Sequence, residues 1–274
     1  LTTLAAWQQK AQITVRHAED EIAVINSAIG AAHGGVRASV GTSGGGFALM
    51  VEAISLAGIA ETPIVIFLSQ RPGPATGMPT WTEQGDLLFA VHAGHGEFPK
   101  IVLTPGDVDE MIRLTAEAFN LADIYQTPVI VMSDMFLSES HTTISSSNVN
   151  RLFSSMNPNR GKTVMSPTDR PYLRYKVTAD GISERLIPGA KGHFYQANSY
   201  EHSEDGHTSE TAEDRKAQVE KRNRKQGTYL THHFKMPTVY GDLKSAQTVL
   251  VCCGSIKGVC LEAMSQRKDV AVIH

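Results

Sequence analysis

The sequence predicts an α/β fold, a doubly wound parallel sheet followed by the start of a second α/β unit. Three observations carry that reading. Segments with apolar residues at helical spacing alternate with short apolar runs, the pattern of βα units. Two of those runs, 63–68 (PIVIFL) and 128–132 (PVIVM), are continuously apolar, as strands covered on both faces should be. A strand, glycine turn, helix pattern occurs at 36–59 and restarts at 248–264.

Taken in order, Ile22, Ile25 and Ile29 recur at helical spacing within 18–32, and that helix ends at Gly34-Gly35. The stretch 36–40 alternates as a strand toward GTSGGG, and 47–59 resumes helical periodicity. After the 63–68 strand comes a long polar loop, 69–85, of the kind that binds ligands at strand carboxyl ends in open α/β sheets. Strand 100–103, helix 108–124 and strand 128–132 complete a first domain expected over 1–140. Across 141–237 periodicity fails and turns dominate, giving a connecting arm whose charged run 210–225 reads as an exposed helix. A second domain is expected from 238 to 274. The opening LTTLAAW enters a helix with no lead-in and the closing DVAVIH ends within a strand, so the sequence is expected to belong to a longer chain.

Composition excludes some functions. With 41% hydrophobic and 19% charged residues, the 274-residue chain can bury a large core. A formal net charge of -3 lacks the basic excess that nucleic acid selects. No apolar run reaches the length of about 18 residues that spans a membrane, and no signal peptide opens the chain, so a cytoplasmic location is expected. The three cysteines, Cys252, Cys253 and Cys260, lack CxxC spacing and read as core packing.

Gly41-Thr42-Ser43-Gly44-Gly45-Gly46, between a strand and a helix amino terminus, could expose backbone N–H groups to an anion or a closely approaching cofactor. It lacks a Walker lysine and the GxGxxG spacing, and reads equally well as a tight turn. In the loop 69–80, Arg71 is stiffened by prolines and glycines, which suits bidentate capture of a carboxylate or phosphate; an ordered surface loop is the plain alternative. Glu19 opens a helix at the ligand edge, where acidic residues also occur for dipole reasons alone. His92 and His95 have i, i+3 spacing but no further ligand pattern, and His202, His207, His232 and His233 are no better supported as metal ligands. Glu201 and His202 could instead order the arm.

HAEDEIAVINSAIGAAHGGVRASVGTSGGGFALMVEAISLAG and SQRPGPATGMPTWTEQGDLLFAVHAGHGEFPKIVL closely resemble the alpha subunit of 2-oxoacid:ferredoxin oxidoreductases. ISERLIPG, NSYEHSEDGHTSE and VEKRNRKQ extend the resemblance over nearly the whole chain. It implies the pyrimidine-type domain of the thiamine-diphosphate-binding fold, then the start of a transketolase-C-like domain. It also implies a beta subunit that holds the diphosphate, Mg²⁺ and any iron–sulfur cluster. By the same resemblance Glu19 would hydrogen-bond the cofactor's aminopyrimidine, Arg71 would pair with the 2-oxoacid carboxylate, and Thr80 would lie on the substrate side. Thr42, Ser43, Gly44 and Gly45 would line the cofactor. The implied reaction is oxidative decarboxylation of a 2-oxoacid, 2-oxoglutarate preferred, to an acyl-CoA and CO₂, with electrons passed to ferredoxin. The YPITP-type motif of the family is absent from this sequence. Alternatives are pyruvate or another 2-oxoacid as substrate, a non-catalytic assembly subunit, or another thiamine-diphosphate enzyme.

Overall fold

A computed structural model of the protein describes residues 2–154, 156–167 and 171–274. Helix α1 (Thr2–Ala11) buries none of its residues. From α2 onward the chain builds a sheet: α2 (Glu21–His33), β1 (Ser39–Thr42), α3 (Gly44–Ile59), β2 (Ile64–Gln70), α4 (Leu87–His92), β3 (Ile101–Leu103), α5 (Val108–Tyr125) and β4 (Pro128–Asp134). All four strands are parallel, in the order β1-β2-β4-β3. Strands β2 and β4 occupy the middle, which is why their sequences are apolar without alternation.

Alternate residues of β2 serve opposite faces. Ile64, Ile66 and Leu68 pack with Ile25 and Ile29 of α2 and Phe47, Met50 and Ile54 of α3. Val65 packs on the other face with Ala118, Leu121 and Tyr125 of α5. Helices cover both faces, which makes the sheet doubly wound. Each of these fully buried aliphatic side chains contributes about 1.5–3 kcal/mol.

The segment after β4 carries α6 (Met135–Glu139), α7 (Ser146–Ser154), β5 (Thr163–Val164), β6 (Arg185–Leu186) and the long helix α8 (Ala212–His232). The structure corrects the expectation of an exposed charged helix. Helix α8 buries Gln218, Lys221, Arg222 and Lys225, a core stripe at i, i+3, i+4, i+7 made of polar residues. Their partners explain the burial. Glu61 and Gln126, both left-handed with φ 49°, follow α3 and α5 at the amino edge of the sheet. The Glu61 carboxylate pairs with Lys221 and lies 2.6 Å from Lys225 Nζ. Arg174 donates to Glu61 O and Gln126 Oε1, both at 2.8 Å, and Lys225 Nζ donates to Gln126 O at 3.0 Å. Further ion pairs hold the segment: Asp123 of α5 pairs with Arg37, Arg160 and Arg185, and Glu201 pairs with Arg215 and Arg222.

Gly181 shows how closely this segment lies on α8. Its φ is +78°, and a Cβ there would fall on Lys221 O and 2.9 Å from Lys225 N, both backbone atoms. Gly181→Ala is expected to cost about 2–4 kcal/mol, combining a left-handed alanine with an overpacked contact. Urea titration would show it as a lowered midpoint with an unchanged slope; an unchanged midpoint would mean that α8 is free to move away.

The last residues form a three-stranded sheet in the order β7-β9-β8, from β7 (Val239–Tyr240), β8 (Thr248–Val251) and β9 (Val270–Ile273), with α9 (Ile256–Ser265) between the last two. β9 is central and buried, whereas β8 is an edge strand and mostly exposed. The cysteines that follow β8 are therefore half-buried rather than core residues, a second correction. Lys257 fastens this unit to the first sheet, with Nζ 2.6 Å from both Asp107 Oδ2 and Glu110 Oε1. Burial opposes the Lys257 charge, but the two carboxylates hold its pKa above the usual lysine range.

Candidate cofactor and substrate site

β1 and β2 are neighbours in register from Ser39↔Val65 to Thr42↔Leu68, so the segments leaving their carboxyl ends meet at one edge. The glycine run is not a loop ahead of a helix. Thr42 ends β1, Ser43 is the N-cap, and Gly44, Gly45 and Gly46 form the first turn of α3. Ser43 makes no side-chain cap hydrogen bond, so it does not take up the N–H groups of that turn.

At two of these glycines the close approach depends on the absence of a Cβ, and at the third a Cβ would be tight. A Cβ at Gly46 would overlap Thr42 Oγ1 and Glu21 Oε1. One at Gly45 would lie 3.3 Å from Ala75 O, and one at Gly44 would lie 2.8 Å from Asp86 Oδ2. The glycine turn is thus walled by the Glu21 carboxylate and the Thr42 hydroxyl, and overlaid by the loop from Arg71 to Asp86. Inside that loop Pro72 O accepts from Met78 N at 3.0 Å, Gly77 has φ +54°, and the Gly73-Pro74 bond is cis. Asp86 Oδ2 is buried with no hydrogen-bond partner among the described residues, and burial, with Glu83 nearby, raises its carboxyl pKa.

Of the expected site residues, Thr42, Ser43, Gly44, Gly45 and Arg71 lie at this edge, with Arg71 half-buried directly after β2. Thr80 is exposed in a turn of the same loop. Glu19 lies on an exposed bend before α2, while Glu21, in the first turn of α2, is the carboxylate that reaches the glycines. The sequence held a signal for this. Asp20 is the N-cap, accepting from Ala23 N at 2.7 Å, so the helix begins at Glu21 and Glu19 falls outside it.

A third element reaches the same edge. Asp134, at the end of β4, accepts from Ser255 Oγ at 2.5 Å and from Gln84 Nε2 at 3.0 Å, and Gln84 Nε2 also donates to Cys253 O at 3.0 Å. Burial would raise the Asp134 pKa, but these donors and Leu137 N hold it below the usual carboxylate range. Among the described residues no group of three or more His, Cys, Asp or Glu could hold a metal ion. His202 is buried against Tyr175, ring centroids 3.9 Å apart. No helix among the described residues is long and apolar enough to cross a membrane.

Residues 1–221 match the family model for pyruvate flavodoxin/ferredoxin oxidoreductase, thiamine diP-binding. The chain is 43% identical over 262 residues to 2-oxoacid:ferredoxin oxidoreductase 1, subunit alpha, of Sulfurisphaera tokodaii, covering 94% of this chain and 41% of that protein. It is 50% identical over 116 residues to the 2-oxoglutarate synthase subunit KorA of Archaeoglobus fulgidus, covering 42% of this chain and 34% of that one. The chain thus spans about two fifths of the first relative's length. A solved 2-oxoglutarate:ferredoxin oxidoreductase from Magnetococcus marinus, with 2-oxoglutarate, coenzyme A and succinyl-CoA bound, superposes with a TM-score of 0.88 at 33% identity, over 99% of this chain and 47% of that one. The Glu21 carboxylate and the Thr42 hydroxyl, held together against Gly46, are groups of the kind that hydrogen-bond an aminopyrimidine. By sequence and fold, the chain belongs to the thiamine-diphosphate-binding pyruvate flavodoxin/ferredoxin oxidoreductase family, among relatives named as alpha subunits of 2-oxoacid:ferredoxin oxidoreductases.

Proposed function

We propose that this chain is the thiamine-diphosphate pyrimidine part of an alpha subunit that, with a beta subunit, oxidatively decarboxylates a 2-oxoacid to an acyl-CoA and passes the electrons to ferredoxin. The observation that carries the reading is the glycine turn walled by Glu21 and overlaid by the loop that begins at Arg71. 2-Oxoglutarate is the preferred substrate, supported by the KorA relatives and by the acid bound in the Magnetococcus marinus enzyme. Mg²⁺, the cofactor's diphosphate and the iron–sulfur cluster are assigned to the beta subunit, and the complex to the cytoplasm.

Thiamine diphosphate, when bound, supplies the carbon nucleophile and the electron sink. The chain's own residues do the rest. Glu21 accepts a hydrogen bond from a pyrimidine ring nitrogen and so sets the protonation of the aminopyrimidine, the role that the family resemblance implies for Glu19. Thr42, Ser43, Gly44 and Gly45 line the ring, mainly through backbone. Arg71 pairs with the 2-oxoacid carboxylate, and Thr80 lies on the substrate side of its loop.

The test is 2-oxoacid- and CoA-dependent reduction of a low-potential dye by the full-length protein purified with its beta subunit. Reduction with 2-oxoglutarate and not pyruvate supports the reading; no reduction with either, in a complex containing thiamine diphosphate and an iron–sulfur cluster, overturns it. Arg71→Ala in that complex is expected to raise KM for the acid by about 10- to 100-fold, the worth of a charge-assisted hydrogen bond. An unchanged KM would remove Arg71 from the carboxylate.

A further inference from the structure

Gln70, the last residue of β2, immediately precedes Arg71 and is 5% exposed. Both ends of its side-chain amide are engaged. Nε2 donates to Ser133 O on the adjacent strand β4 at 3.3 Å, and Oε1 accepts the backbone N–H of Asp86 at 3.0 Å. Asp86 is where the loop returns to the fold, 16 residues after Gln70. One buried side chain therefore closes the base of the loop, tying its exit point to its return point and both to the centre of the sheet. Loops of this length with closed ends are packed by their own side chains and hold a fixed shape. The tie also sets a spacing, because Asp86 abuts Gly44 and Ala75 O abuts Gly45.

We propose that Gln70 is a positioning residue for substrate capture: its amide fixes the loop that begins at Arg71 over the glycine turn, and so holds the guanidinium at the distance that the 2-oxoacid carboxylate requires. This rests on the reading of Arg71 as the carboxylate's partner. Gln70 touches neither substrate nor cofactor and acts through Asp86 N and Ser133 O. Small errors in such placement are costly, since a displacement of about 1 Å can cost about a hundred-fold in rate.

The experiment is a cycle of Gln70→Met, Arg71→Ala and the double variant, each as the full-length protein in its complex, with KM measured for the 2-oxoacid and for CoA. Methionine keeps the volume of glutamine and removes both hydrogen bonds. Gln70→Met is expected to raise KM for the 2-oxoacid about ten-fold, leave KM for CoA unchanged, and have no further effect once Arg71 is alanine. If Arg71→Ala itself leaves KM unchanged, the reading of Arg71 fails, and this inference with it. If Arg71→Ala raises KM but Gln70→Met does not, or if its effect adds in full to that of Arg71→Ala, Gln70 has no positioning role and only this inference is overturned. Gln70→Leu, which also removes both hydrogen bonds, supplies the same comparison should the methionine variant not fold, and the absence of the selective rise in KM would overturn the proposal.

Discussion

Glu21→Gln in the full-length complex is expected to lower turnover by about two to four orders of magnitude, the range that a positioned proton-transfer group contributes. Glutamine has the shape of glutamate, so the close approach to Gly46 survives and the fold and cofactor content should not change. What is lost is basicity. A neutral amide does not stabilise a protonated ring nitrogen, so the cofactor would bind without being activated. Exchange of the thiazolium proton, followed by NMR on the loaded complex, reads this directly and should slow by a similar factor. The companion variant Glu19→Gln is expected to retain near wild-type exchange, because Glu19 lies on an exposed bend. The reverse pattern, with Glu19 essential and Glu21 dispensable, would return the role to Glu19.

That assignment shows where the sequence was legible. Strands 64–70 and 128–134 could be read because a central parallel strand must be apolar on both faces. The glycine run could be read as a strand-to-helix junction, and lacked only the detail that three glycines form the helix's first turn. Which carboxylate reaches the glycines was hidden because Glu19 and Glu21 are both acidic residues near a helix start, and only the capping bond to Asp20 fixes that start. Gln70 gave no signal, since a glutamine ending a strand is usually exposed. Strand β8 misled because apolar content alone does not distinguish a central strand from an edge. Helix α8 misled for the opposite reason. Its buried residues have helical period but none is apolar, and their complement, Glu61, lies 160 residues from Lys221 in sequence.

That pairing carries the second large effect. Glu61 is fully buried, as is Lys221, and Lys225 and Arg174 are only 2% exposed beside them. One carboxylate thus faces three cationic side chains with almost no water. Burial alone would raise the Glu61 pKa, but Lys221, Lys225 and Arg174 together hold it well below the usual carboxylate range. Burial pushes the Lys221 pKa down, with Glu61 opposing. Glu61→Ala would leave these cations buried without a counter-charge, and removing one partner of a buried pair costs about 3–5 kcal/mol. Against a total stability of about 5–15 kcal/mol, that brings the fold near its limit. The urea midpoint should fall accordingly, and a loss under about 1 kcal/mol would show that the lysines are neutral or hydrated. Replacing Lys221 with methionine in the same background should recover part of the loss, because an apolar side chain leaves one less charge to bury. The sign with pH follows from the depressed carboxyl. Its contribution is present above the unfolded-state pKa of about 4.3, and is lost as pH falls toward the lower folded value. Wild-type stability should therefore drop below about pH 4 with a proton-linked slope that the alanine variant lacks. An identical slope in both proteins would place acid sensitivity at other carboxylates.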